Sequence, residues 1–250
     1  PAPWTGVRNA MHHGPVAPQR VSQAFSAAGP DTDQSEDCLT LNVLAPAESS
    51  DTLRPVIVWF HGGAFSQGSA SAPAYAGDSL VERGDVLVVT VTYRLGALGF
   101  LDFSQFSTPS RTFESNLGLR DQIAALEWVQ QNIAAFGGDP DAVTIAGQSA
   151  GATSVTTLMC IPSAAGLFHR AIAQSPALGA AYGPERAAGW ARDFITWLKT
   201  TESLAVDALL SAPPEELVSA GARLVALSHR EAPGALCMSP VVDGDLLPEH

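Results

Sequence analysis

The sequence predicts an α/β protein in which a mostly parallel central β-sheet is flanked by helices, and three observations support this prediction. Two apolar, β-branched runs at 56–60 and 86–93 have the composition of strands covered on both faces. Segments with helical periodicity alternate with strand-like segments through the middle of the chain, as expected for a parallel sheet. The chain has 250 residues, of which 46% are hydrophobic, so it can fill the core of such a domain.

The first part of the chain contains few regular elements. Residues 1–37 hold many Pro, Gly, Ser and Ala residues without periodicity, and we expect irregular surface chain there. Alternating apolar and polar residues at 39–43 predict a half-buried first strand. The two apolar runs follow as buried strands, and we expect the sheet to be mixed.

The strongest helix prediction covers 117–136. Its apolar residues recur at steps of three and four, and Gly137-Gly138 follows as a stop signal. Residues 139–141 (Asp-Pro-Asp) predict a turn before a short strand at 143–146. A second helix can begin at Ala150. The remaining patterns predict a strand at 171–174 and helices at 185–199, 203–210 and 215–228.

Composition and charge exclude several classes of function. The chain has 13 basic and 25 acidic residues, and its net charge of −12 argues against a nucleic-acid partner. The longest apolar runs are far shorter than the roughly 18 residues that a membrane-spanning helix needs, so we expect no membrane span.

The cysteines and histidines give no sign of a disulfide framework or a metal site. Cys38, Cys160 and Cys237 form no CxxC motif, and three cysteines cannot all pair. Such a poor disulfide framework favours a reducing compartment, and we expect a cytoplasmic rather than a secreted location. No targeting segment is visible in the sequence. His12 and His13 are adjacent and no HExxH motif occurs, so we expect neither a metal nor an organic cofactor.

The motif Gly147-Gln148-Ser149-Ala150-Gly151 has the pattern G-x-S-x-G and lies between a predicted strand and a predicted helix. A sharp strand-to-helix turn of this kind exposes its central serine at a helix N-terminus, where backbone N–H groups favour a developing anion. The flanking glycines remove side chains that would collide across the turn. We therefore predict that Ser149 is a catalytic nucleophile.

A second motif, His61-Gly62-Gly63-Ala64-Phe65, directly follows the predicted strand 56–60. Acyl transfer passes through a tetrahedral intermediate with a negatively charged oxygen, and a loop of small residues lets backbone N–H groups approach that oxygen. We predict that Gly63, Ala64 and Ala150 supply the donors of this oxyanion hole. A glycine-rich turn without function is the alternative for this motif taken alone.

With these motifs in place, the chain resembles the carboxylesterase type-B family of α/β-hydrolases, which includes bacterial p-nitrobenzyl esterase-like enzymes. The matching stretches are collinear over almost the entire chain. They are 35–42 (SEDCLTLN), 59–68 (WFHGGAFSQG), 92–101 (TYRLGALGFL), 116–122 (NLGLRDQ), 136–140 (FGGDP), 147–151 (GQSAG), 166–168 (GLF) and 240–244 (PVVDG).

The resemblance implies a partial α/β-hydrolase fold. Members of the family are about twice as long, and a Glu and a His complete their triad downstream of a segment like 240–243. We therefore expect residues 1–250 to be the N-terminal and central portion of one catalytic domain, with a helical cap-like segment at about 180–230. The Glu and the His would come from the C-terminal remainder of the protein or from a second chain. His169 and His229 are disfavoured as replacements for that base.

The implied reaction is hydrolysis of a small-molecule carboxylic ester through an acyl-enzyme on Ser149. Gln148 stands where cholinesterases carry an acidic residue, and the loop 19–36 contains Phe25 but no Trp, so a choline ester is disfavoured. Two alternatives remain open. One is a binding module that keeps the fold without the chemistry, and the other is an acyltransferase that uses an acceptor other than water.

The resemblance also suggests structural roles for other residues. Arg94 and Asp121 are expected to form an ion pair near the site, Glu36 could pair with another Arg, and Ser175 could donate or accept a supporting hydrogen bond. In secreted relatives the cysteine that matches Cys38 is bridged to a cysteine before a Pro-Gln pair. Here Ala17 precedes that pair, so we expect no such disulfide.

Overall fold

The fold is built on a mixed β-sheet, and the computed structural model describes residues 4–6, 8–20, 33–48 and 50–249. Within these residues the sheet has five strands in the order β1-β3-β2-β4-β5. β1 pairs with β3 in the antiparallel direction, and the other neighbours are parallel. The mixed sheet expected from the sequence is confirmed. The strands are β1 (Leu41–Leu44), β2 (Arg54–Phe60), β3 (Leu87–Val91), β4 (Gly138–Gln148) and β5 (Arg170–Gln174).

Helices connect and cover these strands, and several short 3₁₀ turns lie between them. The α-helices are α1 (Asp78–Gly84), α2 (Gly96–Phe100), α3 (Leu117–Asn132), α4 (Ala150–Leu158), α5 (Pro184–Trp197), α6 (Ala205–Ser211) and α7 (Pro214–Glu231). The 3₁₀ turns span Pro73–Tyr75, Ser104–Phe106, Ile133–Phe136, Pro162–Ala164 and Glu202–Leu204. The predicted helix at 117–136 is thus α3 followed by a 3₁₀ turn. The segment from 184 to 231 contains α5, α6 and α7, whereas its cap-like role stays a prediction.

The predicted turn at 139–141 is wrong, because β4 already begins at Gly138. Its pairing with β2 is irregular between Arg54 and Val56, and β5 joins β4 only from Thr144 onward. Pro140 therefore lies where the ladder does not need its missing N–H group. The local Asp-Pro-Asp composition resembles a turn, but the tertiary pairing extends the strand.

Two other differences follow from weak local signals. α1 and α2 were not predicted, and their seven and five residues are too short to show a helical period. The first residues are irregular where they are described, but they are not all at the surface. Val16 and Ala17 are buried, and Val16 forms an isolated bridge with Gln34.

The core lies between the sheet and its helices. Every residue of β3 is buried, and the inward residues of β2 are fully buried. From the helices, Leu119 and Leu126 of α3 and Phe194 of α5 complete this core. Each such apolar side chain contributes about 1.5–3 kcal/mol by leaving water. The core holds the carboxyl ends of the parallel strands, where the serine motif lies, in one rigid frame.

A polar clamp fixes the segment after α7 to the start of α3. The Asn116 side chain donates to the Val241 carbonyl oxygen at 2.8 Å and accepts from the Val241 N–H at 2.8 Å. Asp243 accepts hydrogen bonds from Ser115 and Asn116. Burial raises the pKa of Asp243, but these bonds and those from the N–H groups of Leu247 and Asp245 outweigh it and hold that pKa below its usual value. The clamp therefore joins the 116–122 and 240–244 motifs.

In the part of the chain that the structure describes, no helix combines the length and the apolar character that crossing a membrane requires.

Candidate active site

Ser149 occupies the single residue between the end of β4 and the start of α4. Its backbone has φ 56° and ψ −123°, a region that residues other than glycine rarely adopt. Such a conformation costs about 1–3 kcal/mol and persists only where the surroundings enforce it. Here the Ser149 N–H donates to the Gln174 carbonyl at 2.9 Å, and the Ser149 carbonyl accepts from the Thr153 N–H at 2.9 Å.

The two glycines of the motif allow this turn to form. A Cβ atom on Gly151 would collide with the Phe60 carbonyl oxygen at the end of β2. A Cβ atom on Gly147 would lie 2.5 Å from the Gly151 carbonyl carbon and 2.9 Å from the Phe60 oxygen. Both distances are far below an ordinary van der Waals contact. Helix α4 therefore packs directly on the strand ends, and the serine between them is fixed.

The Ser149 side chain is accessible to a ligand. The residue is only partly buried, and no described residue forms a hydrogen bond with its Oγ. The structure brings no histidine or carboxylate of the described chain into hydrogen-bonding contact with it. The hydroxyl is thus presented at a helix N-terminus and is not engaged in packing.

The Gly-rich loop, residues 61–68, lies against this turn. A Cβ atom on Gly62 would be 2.7 Å from the Gln148 carbonyl oxygen and 3.3 Å from the Ser149 Cβ. Gly63, Ala64 and Phe65 have positive φ angles of 121°, 52° and 57°. A tight turn follows, in which the N–H groups of Ser66 and Gln67 donate to the Gly63 carbonyl at 3.0 and 3.1 Å.

Three N–H groups around the turn are uncommitted. Among the described residues, the N–H groups of Gly63, Ala64 and Ala150 donate to no carbonyl or side chain outside the regular helices and strands. Two belong to the Gly-rich loop and the third to the first residue of α4. Backbone donors held in this way can bind an anionic oxygen without reorganising.

His61 supports the Gly-rich loop from inside the core. Its ring is fully buried and stacks on Tyr93, with ring centroids 4.4 Å apart and an interplanar angle of 15°. Its Nδ1–H donates to the Gly62 carbonyl at 2.8 Å, and the Tyr93 hydroxyl donates to the His61 carbonyl at 2.6 Å. Burial lowers the pKa of His61 to about 4, so the ring is neutral near pH 7. Sequence reasoning placed His61 in a motif but missed this role.

Neither of the disfavoured histidines reaches the serine. His169 is exposed just before β5, and its N–H donates to the Val143 carbonyl at 2.8 Å. Ser149 follows the other end of these parallel strands, and a separation of about five residues corresponds to roughly 16 Å. His229 is exposed near the end of α7.

A largely apolar cavity of about 490 Å³ adjoins the Gly-rich loop. The loop residues Gly63 and Ala64 form one wall. Helix α7 forms the opposite wall through Leu217, Gly221 and Val225. The cavity has the size of a small-ligand site and can accept an apolar group beside the uncommitted N–H groups.

The predicted ion pair between Arg94 and Asp121 is confirmed. The Asp121 carboxylate accepts from the Arg94 Nη2 at 2.6 Å, from its Nε at 2.8 Å and from its backbone N–H at 3.0 Å. Asp121 is nearly buried, so the pair fixes the chain after β3 to α3.

The other structural expectations have mixed outcomes. Glu36 forms no ion pair within the described ranges, and there the Ser175 side chain forms no hydrogen bond. Cys38 is buried as a free thiol. Phe25 lies outside the described residues. In the described ranges no cluster of three or more His, Cys, Asp or Glu residues could hold a metal ion.

Known proteins match this chain along its whole length. The sequence profile of the carboxylesterase family matches residues 1–250. The para-nitrobenzyl esterase of Bacillus subtilis (strain 168) is 42% identical over 250 residues, covering 100% of this chain and 50% of that protein. The phenmedipham hydrolase of Pseudarthrobacter oxydans is 45% identical over 181 residues, covering 71% and 35%.

Solved structures match the fold equally well. A PNB esterase structure has a TM-score of 0.86 at 43% identity and covers 98% of this chain and 49% of its own. A carboxylesterase from Geobacillus stearothermophilus has a TM-score of 0.83 at 41% identity and covers 100% and 48%. The chain spans about half the length of the relatives that match it from end to end. It belongs to the carboxylesterase family and has the α/β-hydrolase fold.

Proposed function

We propose that the protein is a serine carboxylesterase with Ser149 as its nucleophile. The observation that carries this proposal is the accessible Ser149 hydroxyl, held at positive φ beside the uncommitted N–H groups of the Gly-rich loop. Ser149 Oγ attacks the ester carbonyl and loses its proton to a base, and collapse of the tetrahedral intermediate expels the alcohol. Water then attacks the acyl-enzyme and releases the acid.

The oxyanion hole in this proposal consists of the N–H groups of Gly63, Ala64 and Ala150. Each would donate a hydrogen bond to the oxygen that becomes negative in the tetrahedral intermediate. Removing one such donor typically costs about 2.7–4 kcal/mol of transition-state stabilisation. The positive end of the α4 helix dipole also stabilises the negative charge on this oxygen.

The base and its orienting acid are proposed to lie outside this chain, as a His and a Glu from the C-terminal remainder or from a second polypeptide. The edge of β5 supports this location. All five β5 residues are exposed, with Ile172 46% exposed, and β5 pairs only with β4 among the described strands. An exposed apolar edge normally pairs with further chain. Further strands added there would continue beside Gln174, whose carbonyl binds the Ser149 N–H.

The proposed substrate is a small ester with an uncharged alcohol group. The cavity beside the Gly-rich loop is lined mainly by apolar side chains, which favour an apolar substituent. Gln148 supplies no negative charge next to the nucleophile for a cationic alcohol. The free buried thiols of Cys38 and Cys237 support the further proposal of a reducing, cytoplasmic location.

Replacing the nucleophile tests the proposal. In the complete protein, Ser149→Ala is expected to lower kcat for p-nitrophenyl acetate by at least about 10³-fold, since only oxyanion stabilisation and binding remain. Ser163→Ala is the matched control, because Ser163 is exposed in a 3₁₀ turn. Turnover by Ser149→Ala close to that of the control would refute the nucleophile assignment and favour a binding module.

A further inference from the structure

We infer that Gln19 is a positioning residue that holds the Gly-rich loop in its oxyanion-binding shape, an inference that rests on the proposed function. Gln19 lies 42 residues before the loop and carries no catalytic chemistry. The residue is only 6% exposed, which is unusual for a glutamine. A buried amide of this kind must find hydrogen-bond partners, and those partners identify its role.

The Gln19 amide binds both backbone groups of Gly68. Its Oε1 accepts from the Gly68 N–H at 2.8 Å, and its Nε2 donates to the Gly68 carbonyl at 2.9 Å. The same Nε2 donates to the Ala17 carbonyl at 3.0 Å. The side chain therefore pairs with the last residue of the Gly-rich loop as a neighbouring strand would.

Gly68 transmits this restraint to the start of the loop. It has φ 128°, and a Cβ atom there would collide with His61 Nδ1 and lie 2.6 Å from the Gly62 carbonyl oxygen. A Cβ atom on Gly63 would collide with the Gln67 carbonyl oxygen. The two ends of the loop are thus in direct contact. A shift of Gly68 must displace the residues that carry the proposed donors Gly63 and Ala64.

Gln19 is itself held in place by contacts of its own backbone and of the residues before it. Its backbone N–H donates to Gln34 Oε1 at 2.8 Å. Three residues earlier, the Val16 carbonyl accepts from the Ser35 N–H at 3.0 Å, and both Val16 and Ala17 are buried. Gln19 therefore ties the Gly-rich loop to a fixed part of the fold.

Two substitutions separate the hydrogen bonds from the bulk of the side chain. Gln19→Glu keeps the shape, but its carboxylate cannot donate to the Gly68 and Ala17 carbonyl oxygens and places negative charge against them. Burial raises the pKa of such a carboxyl, and its protonated form regains one donor, so the kcat of this variant relative to that of the wild type at the same pH should rise as the pH is lowered. Gln19→Met removes all three side-chain hydrogen bonds without adding charge.

The closing experiment measures kcat and KM for p-nitrophenyl acetate, and the affinity for a trifluoromethyl ketone, with the complete protein. Both Gln19 variants are expected to lower kcat about 10-fold to 100-fold. This loss is smaller than the roughly 10²-fold to 10³-fold decrease in kcat that follows complete removal of one oxyanion-hole donor. The affinity for the ketone, which mimics the tetrahedral oxyanion, should fall by a similar factor while KM changes little.

Gln130→Glu is the matched control. The Gln130 Nε2 donates to the Pro140 and Leu167 carbonyls at 2.9 and 3.1 Å, away from the Gly-rich loop, so this variant loses equivalent donors and gains the same charge. It should destabilise the fold without lowering kcat selectively. Equal losses of kcat in the Gln19 and Gln130 variants, or unchanged kcat in Gln19→Met, would overturn the inference.

Hydrogen exchange of the amides at 63–68 gives a readout that does not require activity. Exchange should be faster in the Gln19 variants than in the wild type and unchanged in Gln130→Glu. Unchanged exchange in the Gln19 variants would refute the positioning role of Gln19 even where the esterase is active. Faster exchange in the variants, together with a wild-type protein that hydrolyses no ester, would instead refute the proposed function and leave only a structural role for Gln19.

Discussion

Ser149 keeps a strained backbone conformation because Gly147 and Gly151, two positions before and after it, have no side chains that would collide across the turn. Gly151 is the sharpest example, since a Cβ atom there would collide with the Phe60 carbonyl oxygen. A backbone oxygen at the end of a buried strand cannot move aside as a flexible side chain could. The strain at the serine is therefore stabilised by close packing of α4 on the sheet.

Gly151→Ala is expected to lower the free energy of unfolding by about 1–3 kcal/mol, because overpacking forces the helix and the strand apart. Denaturant unfolding would measure this loss. Gly179→Ala is the control, because a Cβ atom at Gly179 meets nothing within 4 Å, and it should change stability by less than about 0.5 kcal/mol. Equal effects of the two substitutions would contradict the proposed packing.

His61 makes the stability of the protein depend on pH. Burial lowers its pKa from 6.5 to about 4, so between these values the unfolded chain binds more protons than the folded one. The free energy of unfolding should therefore fall as the pH drops from 6.5 to 4, by up to about 3 kcal/mol from this residue. Above pH 6.5 the contribution of His61 should be constant.

Unfolding curves of His61→Gln across this pH range check the assignment. The variant is expected to be less stable at neutral pH and to show a flatter dependence on pH between 6.5 and 4. His229→Gln, at an exposed position, should keep the slope of the wild type. A slope that persists in His61→Gln would show that another group causes it.

At the residue scale, the sequence was sufficient to predict the residues of the serine and Gly-rich motifs. It was not sufficient to predict the residues that hold these motifs in place. A nucleophile turn is a local arrangement, so its glycines and serine appear within five consecutive positions. Gln19 and Tyr93 act through contacts with residues 49 and 32 positions away. No local pattern in the sequence marks such contacts.

At the scale of elements, α7 determines the space beside the Gly-rich loop. Gly221 lies inside this helix, where glycine is less favourable than alanine by about 0.8–1 kcal/mol. It lines the cavity, and a Cβ atom there would be 3.3 Å from Met238 Cε, the far end of a flexible side chain. The helix thus tolerates an unfavourable residue at a position that keeps the cavity open.

Gly221→Val should narrow the cavity and shift substrate preference toward short esters. We expect kcat/KM for p-nitrophenyl octanoate to fall at least about 10-fold relative to p-nitrophenyl acetate, a loss in the range of one to two methylene contacts. Gly189→Val, in helix α5 away from the cavity, is the control. An unchanged ratio of the two esters in Gly221→Val would show that the substrate does not use this cavity.

The elements that were predicted correctly share one property. Each has a sequence pattern that is long enough or apolar enough to be recognised from consecutive residues alone. The buried strands β2 and β3 and the helix α3 have this property. β4 was predicted too short because Asp139, Pro140 and Asp141 favour a turn in isolation. Pairing with β2 extends the strand through them, and such pairing depends on residues some 80 positions away.

At the scale of the whole molecule, the two edge strands of the described sheet differ in exposure. All four residues of β1, which pairs with β3 in the antiparallel direction, are partly buried, whereas all five residues of β5 are exposed. The relatives that match from end to end are about twice as long. The proposal that further chain covers β5 therefore accounts at once for the exposed strand and for the triad residues that the described chain does not bring to Ser149.

The most direct test of the esterase proposal is covalent labelling with a fluorophosphonate, followed by mass spectrometric mapping of the adduct in the complete protein. The probe reacts with an activated serine and leaves a phosphonyl group that occupies the place of the tetrahedral intermediate. One adduct on Ser149, absent in Ser149→Ala, is the predicted result. An adduct on a different residue, or none on a protein that hydrolyses esters, would contradict it.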